Sequence, residues 1–401
     1  MMIIRLYVLF FFLSHFAFTQ SPQKYIKANI CLFHNDTLSA IKLLQDTLQQ
    51  NPNQQYALRM LADLYSKQHR YQEAIDLYIK LYDLNDSTIL YSIIENYAQL
   101  KNKEQTIYWL KIYLKTNHKI PENIIRTNSL FSFLNKDIAW NELWKQNWFS
   151  EVEIKLGDII YLYNKEDVNS LIETIEDALK LYPNSVELWL WRAKTFILGK
   201  NNKEALKSIN YILKLNPYNI DALYLKANIL QNEKKYKNLA QLYISIYHIQ
   251  PWEIQWKYKA ALAYNRAMLF KESIKELAFY TQFDTLFADA YYYMGNSYFN
   301  LNNKQKAIDY YSKSIQLYAG NADCYYERAV CHYELNELNK AFYDLCMALD
   351  LKPTDGRYYY QRGLVNFALN KSIASCRDFE RAKQLGYIKA EDYIQRYCKG
   401  K

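Results

Sequence analysis

The segment ADCYYERAVCHYELNELNKAFYDLCMALDLKPTD, Ala322–Asp355, decides the fold. Tyr325 stands three residues before the Arg328–Ala329 pair, and His332 follows. Ala341 heads a second apolar run, with Leu345 and Ala348 further along and Pro353 at the close. This spacing predicts two short amphipathic helices joined by a turn, with a proline that ends the second and turns the chain. Laid on this register, the chain repeats every 34 residues, from Val152 through Val186, Ile220, Ile254, Ala288, Ala322 and Gly356. The eighth positions are Ile159, Ala193, Ala227, Ala261, Gly295, Ala329 and Gly363. Small residues at that place let two helices approach closely. Ala178, Ala348 and Ala382 fall at position twenty-seven, and Pro183, Pro217, Pro251 and Pro353 close their repeats. Ile159 is large for its place, and Leu239 and Ser375 stand where position twenty usually carries alanine.

The pattern of Ala322–Asp355 and its six companions resembles the tetratricopeptide repeat family. The resemblance implies an all-α fold, a right-handed α-solenoid of stacked helix–turn–helix repeats. Residues 20–120 hold about three weaker repeats. The first carries Ala28, Ala40, Leu44 and Pro52; the second carries Leu61, Ala62, Tyr65, Ala74 and Tyr78. The third carries Ile94, Tyr97, Leu100, Thr106 and Leu110, its spacing slipped by two residues. Residues 121–151 break the period and read as an irregular helical connector, the natural seam between two sub-arrays. Trp140, Trp144 and Trp148 are four apart there, which on a helix would be one face. They fit an aromatic binding patch or, as we expect, rings packed against the neighbouring repeats. Residues 152–389 hold the seven in-register repeats. Residues 390–401, with Ala390, Tyr393, Ile394 and Tyr397, read as a C-terminal capping helix.

Half of the 401 residues are apolar and 23% are charged, so the chain is not disordered. Only 8 Gly and 7 Pro occur, against 40 Tyr, a balance that favours long helices over many-turned β architectures. The net charge of +9 is scattered among both signs rather than gathered in a stripe, which speaks against nucleic acid. Residues 1–19 read as a signal peptide: a short basic start, an apolar run Leu6–Phe18, and Ala17 and Thr19 before a cut at Gln20. The run is shorter than the ~20 residues that span a bilayer. Cys31 lies too far on for a lipoprotein. The expectation is an exported protein, periplasmic or secreted, and not transmembrane once the signal is removed.

No catalytic or cofactor constellation is visible. The glycines are isolated from one another, so there is no phosphate loop, and neither a Gly-x-Ser-x-Gly elbow nor a His-Glu-x-x-His helix occurs. His34, His69, His118, His248 and His332 lie in different repeats. No metal or cofactor is expected, and no enzyme. Cys324, Cys331, Cys346 and Cys376 sit within adjacent repeats and read as small apolar fillers or, since export permits disulfides, as partners in a bridge across helices whose pairing the sequence does not choose. Cys324 and Cys331, seven apart on one helix, would hold their Cα atoms about 10 Å apart, too far for a bridge.

The fifth position is tyrosine in five successive repeats: Tyr224, Tyr258, Tyr292, Tyr326 and Tyr360. Positions two, five, nine and twelve share one stripe of the first helix. The resemblance implies that this stripe lines a concave inner surface where ligands lie. Asn228 and Asn296 stand one turn beyond the tyrosines, and Phe299 and Tyr333 extend the aromatic surface. Tyrosine offers a large contact area with few torsions to freeze, and asparagine offers both donor and acceptor to an extended chain. The same tyrosines could equally pack on one another between helices. Some members of the family bind acidic C-termini through lysines on this stripe, which tyrosine replaces here. The expectation is therefore a protein-interaction scaffold of the cell envelope that holds a protein or extended peptide along residues 186–389. The alternatives are a self-assembling structural protein and a carbohydrate-binding or enzymatic accessory protein.

Overall fold

A computed structural model describes residues 21–117 and 119–398. The expected signal segment, 1–19, lies outside the described residues. These are helical with short turns and contain no strand, an α-solenoid of helix pairs packed in chain order. They form two compact units. One comprises the residues up to 233 together with 249–253, and the other comprises 234–248 and the chain from 254.

In the first unit, three pairs come first: Ser21–Phe33 with Thr37–Gln50, Gln55–Lys67 with Tyr71–Asp83, and Leu90–Gln99 with Lys103–Leu114. After the connector come Glu151–Asn164 with Val168–Leu181, Val186–Leu198 with Asn202–Leu215, and Ile220–Asn232. The second unit has the first helices Gln255–Arg266, Ala288–Asn300, Ala322–Glu334 and Gly356–Ala368. Their second helices are Phe270–Thr281, Lys304–Leu317, Leu338–Leu351 and Ser372–Gln384. The division between the units falls inside the repeat of Ile220, not in the connector.

The turn within each repeat is set by one left-handed residue. Glu166, Lys200, Lys234, Met268, Asn302, Asn336 and Asn370 all have φ near +60° and recur every 34 residues. The residue after each folds its N–H back on the first helix, as Asn303 N does to Tyr298 O at 2.9 Å and Glu337 N to His332 O at 2.8 Å. Asn303 then caps the second helix, its side chain accepting from Lys306 N. In the early repeats the left-handed residues are Asn35, His69 and Lys101. The slip of two residues falls between the last two.

The core explains why glycine and alanine alternate at position eight. Ala329 packs in a cluster with Leu345, and Ala193 packs with Ile209. Gly295 faces Tyr311 and Gly363 faces Phe379, both rings fully buried. A Cβ on Gly295 would lie 2.5 Å from the Tyr311 ring, and one on Gly363 2.7 Å from the Phe379 ring. The larger ring on the second helix takes the space that a methyl group occupies elsewhere.

Arginine at position seven ties neighbouring second helices together. Arg328 Nε and Nη2 donate to Asp344 at 2.8 and 2.7 Å, and Nη1 donates to Ser312 Oγ at 2.9 Å. Arg362 repeats the arrangement with Asp378 and Cys346, and Arg192 does so with Glu176 and Ser208.

The connector corrects one expectation. Its helix, Ile138–Leu143, ends before Trp144 and Trp148, so the three tryptophans do not share a helical face. Trp140 is 3% exposed and packs on Phe131, and Trp144 and Trp148 lean on the same core as the first three repeats. That core explains why the seam is not here. The connector is also fixed by a buried ion pair, Lys119 Nζ to Glu153 at 2.9 Å.

The cysteines correct another. Cys324 and Cys331 are fully buried fillers, as expected. Cys376, however, is bridged to Cys398 across 22 residues. The tail folds as Ala390–Tyr393 followed by a π turn, Ile394–Cys398, which brings Cys398 against the last repeat.

Candidate functional site

In the second unit each first helix touches the first helix of the next repeat, while second helices stand further from their counterparts. The first-helix side is therefore the narrow, inner side of that stack. The tyrosines of position five lie along it and are half-buried rather than free-standing. Tyr258 packs on Phe287 and Tyr280, with ring centres 5.0 and 5.5 Å apart. Tyr292 packs on Tyr293 at 5.2 Å, and Tyr326 on Tyr358 at 5.1 Å. Tyr360 meets Tyr387 at 4.9 Å and Phe379 at 5.7 Å, and joins the closing cluster around Tyr393. Each rung thus fills a gap between helices with one part and keeps another part toward the stripe. Packing between helices is therefore part of what these side chains do.

Burial shifts the hydroxyls strongly. Tyr292, Tyr326 and Tyr360 are each pushed up to about 12, and Tyr258 is raised further. All four are neutral hydrogen-bond donors at any physiological pH. Asn296 accepts from Tyr311 Oη at 2.7 Å through Oδ1 and also hydrogen-bonds Tyr292.

Beside this stripe, at position six, stands a half-buried charge that sequence reasoning missed. Glu327 follows Tyr326 and is half-buried among tyrosines, where burial pushes its carboxyl up to about 7. Arg357 opposes that shift and Asp323 adds to it. Arg357 itself is committed to Asp323 at 2.8 Å and Asp355 at 2.7 Å, with its guanidinium over the Tyr326 ring. No residue spacing signals this; it depends on how far the neighbouring rings shield position six.

The first unit carries the remaining candidates. Tyr224 is 37% exposed and donates from Oη to Gln250 Oε1 at 3.0 Å. Asn228 is exposed and accepts from Asn232 at 3.0 Å. The corresponding stripe on the first two helix pairs holds Tyr25, Asn29 and Tyr56, none of which the five-tyrosine pattern pointed to. Asn29 Nδ2 donates to the Trp252 carbonyl at 3.0 Å, and the Trp252 ring lies 4.6 Å from that of Tyr56.

Comparison with known proteins agrees with this architecture. Two family models described as "Tetratricopeptide repeat" match, one over residues 288–321 and the other over 34–87. Among curated relatives, DnaJ homolog subfamily C member 3 homolog of Dictyostelium discoideum is 34% identical over 19% of this chain. DnaJ homolog subfamily C member 7 of Mus musculus is 28% identical over 26% of it. The chain spans only 16% and 21% of the length of these two relatives. Among solved structures, MamA is similar at a TM-score of 0.38 and 24% identity, over 41% of this chain and 96% of that one. A tetratricopeptide repeat protein from Parabacteroides merdae is similar at 0.41 and 16% identity, over 61% and 97%. The repeat matches and the stacked helix pairs together identify residues 34–87 and 288–321 as tetratricopeptide repeats.

Proposed function

We propose that this protein is an exported, non-enzymatic scaffold of the cell envelope, and that it holds a protein or extended peptide along the first-helix stripe of the second unit, within residues 254–389. The presence of tetratricopeptide repeats supports the general class. The observation that carries the finer reading is the row of half-buried tyrosines, Tyr258, Tyr292, Tyr326 and Tyr360, on the inner side of the second unit. Their bodies are anchored by neighbouring rings, so little side-chain freedom is lost when a partner docks. Their hydroxyls stay protonated and offer donors to a peptide backbone. No partner charge is demanded by a ladder of neutral rings, which fits a protein segment better than nucleic acid. The export half of the proposal rests on residues 1–19 alone.

The test is an affinity capture from envelope fractions with the mature chain as bait. The captured partner is then titrated against the triple variant Tyr258→Ala, Tyr292→Ala, Tyr326→Ala. Binding weakens by roughly 2 kcal/mol or more if the rungs are hot spots. A folded triple variant that holds the partner as tightly as the parent chain removes the groove reading. Light scattering of the mature chain checks the self-assembly alternative, which the buried Trp140 no longer favours; the expected result is a monomer.

A further inference from the structure

The stripe on the first two helix pairs already holds a turn of this same chain. Residues 249–253 belong to the same compact unit as those helices. Within them Gln250–Glu253 is a turn, closed by Glu253 N donating to the Gln250 carbonyl at 3.0 Å, that presents Trp252 at its tip. Asn29, at position nine, donates from Nδ2 to the Trp252 carbonyl at 3.0 Å. Asn29 Nδ2 also reaches Tyr56 Oη at 3.2 Å. Tyr56, at position two of the next repeat, lays its ring 4.6 Å from the Trp252 ring, and Tyr25 braces Tyr56 edge-on at 4.9 Å. On the other side Tyr224 Oη donates to Gln250 Oε1. One asparagine reads a backbone carbonyl and one braced ring reads an aromatic side chain. The feature is particular to this repeat: the other closing prolines, Pro183, Pro217 and Pro353, are followed by Asn184, Tyr218 and Thr354.

We propose that Tyr25, Asn29 and Tyr56 form a receptor for a protein turn bearing a large aromatic side chain, and that Gln250–Trp252 is its resident, displaceable occupant. Trp252 is half-buried and lies in a turn rather than a helix. A competing chain can match its contacts one for one. This site shares no residue with the tyrosine ladder of the second unit, so the two stand or fall separately.

The probe is a fluorescein-labelled heptapeptide copying residues 248–254, His-Ile-Gln-Pro-Trp-Glu-Ile, titrated by anisotropy into the full mature chain. Trp252→Ala vacates the site, and the peptide then binds at least tenfold more tightly than to the parent chain. Adding Asn29→Ala or Tyr56→Leu returns binding to the parent level, and a peptide with alanine for tryptophan does not bind. Equal binding to parent and Trp252→Ala, or gained binding that ignores Asn29 and Tyr56, overturns the proposal. Should Trp252→Ala fail to fold, hydrogen exchange on Asn29→Ala decides. Amides of 249–253 then exchange several-fold faster while Ala322–Asp355 is unchanged; unaltered exchange in 249–253 also overturns it.

Discussion

The same helical positions meet different fates in the two units. On the first helix pairs Asn29 turns its amide outward and holds a backbone carbonyl, with Tyr56 offering a ring face beside it. In the second unit Asn296, at the equivalent position nine, turns its carbonyl inward to Tyr311. The difference follows from the second helix. Tyr311 is a large ring above Gly295 and its hydroxyl emerges next to Asn296. A residue that holds a distant backbone carbonyl in one repeat is therefore a strut in another, and identity at a stripe position does not by itself define a ligand contact. What the second unit has instead is area: four braced rings in register.

The largest expected effect tests that strut. Gly295→Ala places a methyl group inside the Tyr311 ring and should cost about 3 kcal/mol of stability in a urea melt. Adding Tyr311→Leu should recover most of it. In the first unit, where Ala193 packs on an aliphatic neighbour, Ala193→Gly should cost only about 1 kcal/mol, the price of helix propensity. Equal losses at the two sites would mean that the rings and the small residues are not matched.

Next in size is a charge effect confined to the second unit. The folded Glu327 carboxyl titrates near 7 against an unfolded value near 4.5. A raised carboxyl contributes stability that is full below the unfolded value and lost as pH climbs through the folded one. Stability should therefore decline between about pH 4.5 and pH 7 in the parent chain. Glu327→Gln should flatten that decline and gain about 2 kcal/mol at pH 8. A parallel pH profile in parent and variant would show that Glu327 is solvated like an ordinary surface acid.

The smallest effect concerns the turns. Met268 is 74% exposed and sits at φ +59°, where later repeats carry Asn302, Asn336 and Asn370. Met268→Asn should stabilise by about 0.5–1 kcal/mol, since asparagine tolerates the left-handed region better. A neutral or destabilising result would mean that the Met268 side chain makes a contact worth the strain.

Much of this architecture was legible from residues alone because a 34-residue period compounds. Small residues at position eight, closing prolines and aromatic spacing all point to one helix pair, and the left-handed residues fall in the same register. The slip in the third repeat was visible too, and Lys101 marks it in the backbone. The Cys376–Cys398 bridge was not legible, because it depends on a tail that bends through a π turn instead of continuing as an α-helix. The tryptophans of the connector misled for a related reason: spacing by four implies one face only while the helix lasts, and it ends at Leu143. The ladder tyrosines were found in register, but their mutual burial and the shift of Glu327 arise from rings contributed by second helices and loops. The Trp252 contact joins residues 223 apart in the chain, and no repeat register encodes a contact of that kind.

The central claim is that the inner first-helix stripe, rather than the outer surface, meets the partner. It is tested most directly by site-specific photocrosslinking in the native cell. p-Benzoylphenylalanine replaces Tyr333, on the stripe at position twelve, or Tyr343, 63% exposed on a second helix. A discrete adduct with one protein from position 333, lost in the Tyr258, Tyr292, Tyr326 triple variant and absent from position 343, is the predicted result. The same adduct from both positions, or from 343 alone, would contradict the account.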